Sequence, residues 1–368
     1  MPSEFDLIQQ FFTRQDFSSQ DISSQAAFSS SSTGVVLGVG DDAALLKPAA
    51  GKLLAVSSDM LVAGRHFLAD DDPYALGHKT LAVNLSDMAA MGAKPRWATL
   101  ALALPSADSD WLSAFSQGFF ALADRFEVVL VGGDTTRGPL NLCVTIFGET
   151  LLPPYGQALR RDQAQIDDEI WVSGALGGAA LGLAHRLGEI QLNPTDAQRC
   201  LARLHRPEPR VALGLALAQL PDLPPLMPLQ PLPALPALPA LPALPGLIPT
   251  PLSSSAVAAI DISDGLLADL GHILERSQVG ADIELARIPT QALTEASLPL
   301  QCLLAGGDDY ELCFTTAKHN AAAVRAAGEA AGVAVTRIGV ISAQPGLRVR
   351  GPDGLPLSIH AKGFDHFV

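Results

Sequence analysis

A chain of 368 residues, 48% of them hydrophobic, has the length and apolar content for about two packed domains. Thirty-eight acidic against 24 basic residues give a net charge of −14, which leaves no basic stripe for a nucleic-acid backbone or an anionic membrane. Any polyanion bound here needs metal ions as intermediaries.

In chain order, Ser3, Glu4 and Asp6 with Phe5, Ile8 and Phe12 at helical spacing predict a short capped helix. The same stretch lacks the basic and apolar segments of an export signal, so a cytoplasmic protein is expected. After a Ser-rich loop at 29–33, strand-like runs KLLAVSS, RWATLALAL, EVVLVGG and NLCVTIFGET alternate with helix-like runs at about 74–91 and 108–125. A boundary near 155 in PPYGQ divides the chain into 1–155 and 156–368. The second part reads EIWVSG, helices at about 176–187 and 208–219, AVAAIDIS, a helix at 265–277, ADIEL, YELCFT, a helix at 318–331 and VAVTRIGVI. The fold class is therefore α/β, or α+β, in two units. A Pro/Leu/Ala-rich tract at about 220–255 interrupts the second. Its prolines exclude a membrane helix, and a low-complexity surface insertion is the expected reading. Cys143, Cys200, Cys302 and Cys313 have no metal-ligand spacing and read as reduced thiols. In SGALGGAALGLA the glycines are expected to turn a strand into a closely packed helix, in preference to cradling a phosphate.

Acidic residues recur beside small ones where apolar strands are expected to end: Asp42 in GVGDDAALL, Asp59 in LLAVSSD, Asp87 in NLSDMAAMGA, Asp134 in VVLVGGD, Asp261 and Asp264 in DISDGL, and Asp308 and Asp309 in GGDDYE. One such Asp is ordinary turn chemistry. Six clusters at element ends point to convergence on one site, and oxygen donors without His or Cys suit Mg²⁺ ions shared with a nucleotide's phosphates. Asp70, Asp71 and Asp72 are set aside as a solvated loop and helix cap. Walker and dinucleotide-binding glycine motifs are absent; GHKT at 77–80 has neither the spacing nor the order of a P-loop.

Together GVGDDAALL, SSDMLVAGRHF, GHKTLAVNLSDMAAMGAKP, GGDTTRGPL, DISDGLLADLGHI, GGDDYELCFT and KGFDHF resemble the thiamine-monophosphate kinases, within the aminoimidazole-ribonucleotide synthetase-like ATP-binding superfamily. The resemblance covers residue 5 to the C-terminus apart from the proline tract. It implies a homodimer whose N-terminal sheets pair into a barrel, with ATP near that junction, and phosphoryl transfer from ATP to thiamine monophosphate. It further implies Mg²⁺ on Asp42, Ser57, Ser58, Asp59, Asp87, Asp134, Asp261 and Asp264, of which Asp42, Asp87, Asp134 and Asp264 are the catalytic set. ATP would meet Gly133, Asp134, Arg161 and Ser263, and the substrate His66, Asp308 and Phe364. Arg160 stands beside Arg161, and on sequence the two guanidiniums are alternatives. Ala361 departs from the aromatic residue usual before the terminal motif. Other superfamily synthetases and a non-catalytic nucleotide or metal sensor are the alternative functions.

Overall fold

The computed structural model describes residues 4–13, 33–39, 43–152, 156–220, 257–294 and 297–357. After a short helix α1 (Glu4–Leu7), which runs into a π-turn at Ile8–Phe12, strands β1 (Val35–Leu37) and β2 (Leu45–Leu46) form a small antiparallel ribbon. A four-stranded sheet follows, in the order β3 (Leu53–Val62), β6 (Asn141–Thr150), β4 (Lys94–Leu104), β5 (Val129–Arg137). Only β4 and β5 run parallel. Their crossover is α3 (Ser109–Arg125), while α2 (Pro73–Ala90) links β3 to β4.

The helix starts are written locally. Asp72 caps α2 by accepting from the Ala75 amide, with Pro73 in the first turn where its missing N–H costs nothing. Asp108 caps α3 through the Asp110 and Trp111 amides. Where α2 and α3 cross, a Cβ on Gly77 would lie 2.0 Å from the Phe115 carbonyl oxygen, and one on Gly118 would lie 1.9 Å from that of Tyr74. Glycine is thus what allows the two backbones to touch. Most of α2 is buried, including Lys79, Thr80, Asn84 and Ser86, as expected of a helix enclosed on more than one side.

A six-stranded sheet has the order β12 (Gly346–Arg350), β9 (Gly280–Glu284), β11 (Val335–Ser342), β7 (Glu169–Ser173), β10 (Leu312–Thr316), β8 (Ala258–Asp261). Helices α4 (Gly178–Arg186), α5 (Pro194–His205), α6 (Val211–Leu217), α7 (Leu266–Ser277), α8 (Leu300–Ala305) and α9 (Ala321–Ala331) complete it. The largest apolar core runs continuously from α2 and α3 through Leu213 of α6 to Trp171, Phe314 and Val324. Helix α2 also packs on β8, so it bridges the two sheets. Glu311, fully buried, accepts from Arg203 at 2.9 Å, the Arg210 Nε at 2.6 Å and the Ser173 hydroxyl at 2.6 Å, tying α5 and α6 to β10.

Both sheets are largely antiparallel, within the α/β or α+β class expected. One expectation is corrected. Asp59 and Asp134 lie inside β3 and β5, because apolar and β-branched residues continue each strand to Val62 and Arg137. The described N-terminal helix amounts to one turn before its π-turn.

Gly118→Ala is expected to cost about 1–3 kcal/mol, as overpacking against an immovable carbonyl does. Gly271→Ala, inside α7 with open space around it, should gain about 0.5–1 kcal/mol. Urea denaturation of both variants checks the contrast.

Candidate functional site

Burial along β3 alternates, and Ala55, Ser57, Asp59 and Leu61 share the face turned to α2. The Ser57 hydroxyl donates to Asp87 Oδ2 at 2.5 Å, and the Asp59 amide donates to Asn84 Oδ1 at 3.2 Å. Asn84 and Asp87 are one turn apart on α2. One residue back, Ser86 donates to Asp261 Oδ2 at 2.8 Å, reaching the last residue of β8. The helix therefore brings together acids from both sheets. Burial, with Asp87 and Asp261 adding like charge, pushes Asp59 up to about 7. Burial and then Asp87 push Asp261 to about 7, and burial raises Asp87 as well.

Beyond Asp261 the chain turns sharply through Ser263 and Asp264. Asp269 Oδ2 accepts from the amides of Ser263, Asp264 and Gly265 at 3.0–3.1 Å, fixing that turn onto the start of α7. Burial, then Asp261 and Asp264, push Asp269 to about 7. The turn in turn anchors the GGDDYE segment: the Asp308 amide donates to the Ser263 carbonyl and the Tyr310 amide to the Ile262 carbonyl, both at 2.9 Å. Asp308 and Tyr310 have φ of 66° and 49°, so Asp308 and Asp309 are aimed differently. Asp309 Oδ2 accepts from the Gly177 amide at 2.7 Å at the start of α4, and burial pushes it to about 8. That carboxyl occupies the N-terminus a phosphate-cradling reading of SGALGG would have required. Tyr310 is buried, and burial with Asp308, Asp59 and Asp261 nearby holds its phenol well above the usual range.

Two cations flank the acids. Lys79 Nζ, 4% exposed, lies 3.1 Å from Asp308 Oδ2 and 3.4 Å from the His66 carbonyl oxygen. His66 Nδ1 itself accepts from the Val62 amide at 3.0 Å. At the other end, the positive charge of Arg161 favours the ionised forms of Asp87 and Asp261. Arg160 donates its Nε to Asp162 Oδ1 at 2.9 Å, so of the two neighbours Arg161 is the one turned to the acids.

The cluster thus unites Ser57, Asp59, Asp87 and Asp261 with the Ser263–Asp264 turn, Asp308 and Arg161. It does not include every residue expected. Ser58 points to the opposite face of β3, where its hydroxyl contacts the Val144 carbonyl at 3.1 Å and Thr145 Oγ1 at 3.0 Å. Gly133 and Asp134 lie on β5, the far edge of the sheet. Register through Ala101 and Cys143 places Asp134 on the face of Met60, opposite Asp59 and about 14 Å away by strand spacing. Gly133 also has a packing reason, since a Cβ there would meet the Leu100 oxygen at 1.9 Å. Asp42 and Phe364 fall outside the described residues. Sequence reasoning passed over Lys79, Asn84, Ser86, Asp269 and Tyr310, although Lys79 and Ser86, seven residues apart, repeat at the spacing of one face of α2.

Among the described residues, no three His, Cys, Asp or Glu side chains already converge as a closed metal cage. The donors present are nevertheless carboxylates, hydroxyls and an amide oxygen, and the buried acids carry more negative charge than Arg161 and Lys79 balance. Mg²⁺ is held by one or two carboxylates plus waters and phosphate oxygens, so this set fits it.

The family of AIR synthase related proteins matches residues 40–150 with its N-terminal domain and 235–352 with its C-terminal domain. The thiamine-monophosphate kinase of Escherichia coli O157:H7 is 41% identical over 99% of this chain and 98% of its own. The crystal structure of thiamine-monophosphate kinase from Stenotrophomonas maltophilia K279a superposes with a TM-score of 0.72 at 43% identity, covering 88% of this chain and 92% of that one. AaThiL complexed with AMPPCP and TMP gives 0.67 at 26% identity, with 87% and 89% covered.

Asp59, whose folded value near 7 exceeds its ordinary 3.8, contributes stability in full only below about pH 4. That contribution is lost as pH rises through 7, because only the unfolded state ionises freely. Asp59→Asn should therefore raise the melting temperature of metal-free protein relative to the parent by a few degrees at pH 8 and by little at pH 4. Paired thermal scans across that window check it.

Proposed function

We propose the mechanism from one premise: the chain belongs to the thiamine-monophosphate kinase family of AIR synthase related proteins. It transfers the γ-phosphate of ATP to thiamine monophosphate, giving ADP and thiamine diphosphate. Similarity to a curated kinase, 41% identical over 99% of the chain, favours this reading over the synthetase and sensor alternatives. The observation that carries the mechanism is the meeting of half-buried Asp59 and Asp87 with buried Asp261, flanked by Arg161 on one side and by Lys79 with Asp308 on the other.

A phosphate monoester has a second pKa of about 6, so near neutral pH the acceptor presents its own ionised nucleophile. No protein base is needed, and the protein's task is to hold two polyanions in line. Asp59, Asp87, Asp261 and Asp264, with the Ser57 hydroxyl, are assigned to hold Mg²⁺, and Asp42 is assigned to join them. Bound there, the ions would supply positive charge between the two sets of phosphates. Arg161 adds a guanidinium fork suited to phosphate oxygens, and the Ser263 turn is assigned to the nucleotide. His66, Asp308 and Phe364 remain assigned to the acceptor. Transfer is direct, without a phosphoenzyme.

A homodimer completes the reading. Leu54, Val56 and Met60 are about half exposed on the outer face of β3, an apolar row that pairing with a second sheet would cover. Asp134 lies on this same face and Gly133 precedes it on β5, and their assignment to ATP depends on that junction. For Ser58 only the dimer face remains, and it leaves the Mg²⁺ set. We take 1–155 and 156–368 as the domains, and the cytoplasm, where ATP is available, as the compartment. Among the described residues no helix is long and apolar enough to cross a membrane.

Purified protein with ATP, Mg²⁺ and thiamine monophosphate should form thiamine diphosphate and ADP one for one, with no product from unphosphorylated thiamine or without Mg²⁺. Asp87→Asn should lower kcat by at least about a hundredfold. ADP without thiamine diphosphate, or a labelled phosphoprotein formed from ATP alone, would contradict the mechanism.

A further inference from the structure

Lys79 is the one residue of α2 that places a full positive charge beside the acids, and the reaction just described leaves it unused. Its ammonium has three donor positions; the Asp308 carboxylate and the His66 carbonyl take two. Its stem is enclosed, with the residue 4% exposed, whereas Asp308 is 28% exposed and so forms the open side of the pair. Asp308 is held there by left-handed backbone at 308 and 310 and by the hydrogen bond of its amide to Ser263. Tyr310 connects this pair to the carboxylate cluster, since its phenol lies near Asp308, Asp59 and Asp261. A fixed cation and a fixed anion, 3.1 Å apart, thus stand next to the carboxylates assigned above to Mg²⁺.

Thiamine monophosphate is itself a zwitterion: a phosphate monoester anion and a positively charged thiazolium ring on one small frame. We infer that the Lys79–Asp308 ion pair recognises the acceptor as a matching ion pair, with Lys79 Nζ taking the acceptor's phosphate and Asp308 facing its cationic ring. The inference rests on the kinase reading above and adds how the acceptor site selects its ligand. Each partner of the internal bridge exchanges one counter-ion for another, so neither charge is left without a partner when the substrate enters. A neutral alcohol, or a phosphate ester lacking a cation, would satisfy only one half.

Steady-state kinetics on the full chain test this with two acceptors: thiamine monophosphate, and the monophosphate of its 3-deaza analogue, whose ring has the same shape and no charge. Lys79→Met should raise the KM for thiamine monophosphate at least about tenfold while the KM for ATP stays within about twofold, and Lys79→Arg should restore most of the loss. Asp308→Asn should erase the parent's preference for the charged ring, bringing the two acceptors to within about twofold of each other. The double variant Lys79→Met with Asp308→Asn, which buries no lone charge, should retain the fold and show both losses. Unchanged acceptor KM in Lys79→Met, equal losses for ATP and acceptor, or retained ring preference in Asp308→Asn would overturn the inference. Turnover of thiamine monophosphate by the parent protein separates the two levels: its absence removes the kinase reading, whereas its presence with unmoved variants removes this inference alone.

Discussion

Burying like charges is the constraint on which this structure turns. Asp59, Asp87 and Asp261 meet where β3, α2 and β8 converge, Asp261 buried and the other two half-buried, so solvent screens them only in part. Ser57, Ser86 and Asn84 supply hydrogen bonds to this junction, two of them to the carboxylates themselves, and Arg161 supplies part of the missing positive charge. The remainder is a standing demand for cations. A protein selected only for stability would replace one of these acids by an amide. Their retention ties the cost of the fold to a ligand that brings positive charge of its own.

Other buried acids in the same neighbourhood have closed hydrogen-bond accounts and read as architecture. Asp309 caps α4, Asp269 gathers three consecutive amides, and Glu311 is clamped by Arg203 and Arg210. Asp196 similarly holds the Thr294 amide and hydroxyl. The distinction lies in the partners: architectural acids face donors, whereas Asp59 and Asp87 face each other. In GGDDYE the two kinds are adjacent in sequence, and the left-handed conformations at 308 and 310 aim one carboxyl at the site and the other at a helix end.

Much of the fold was legible because local chemistry wrote it. Asp72 followed by Pro73 marks the start of α2, and the alternation of LLAVSSDML marks β3. Helix α5 was missed even though Asn193 and Pro194 form a standard cap and first turn, because its face is short and polar. Strand β12, with two arginines in five residues, lacks the apolar run that identified the others. At the site, the acids of β3, α2 and β8 were legible from their recurrence beside small residues near apolar runs, but their parity was not. Placing Asp59 and Asp134 on opposite faces depends on sheet order and on register carried through β6 and β4, which no short window contains. Lys79 escaped notice because GHKT invited comparison with a phosphate loop, whereas its meaning comes from a residue 229 positions away.

The central claim is that the clustered carboxylates are poised to exchange protons for the metal ions that accompany the nucleotide's phosphates. Calorimetric titration of ATP with Mg²⁺ into the protein at pH 7, repeated in buffers of different ionisation enthalpy, measures that exchange directly. The account predicts net release of about one proton per chain, since acids near 7 must ionise to bind a cation, and a smaller release in Asp59→Asn. Saturable binding with the same heat in every buffer would contradict it.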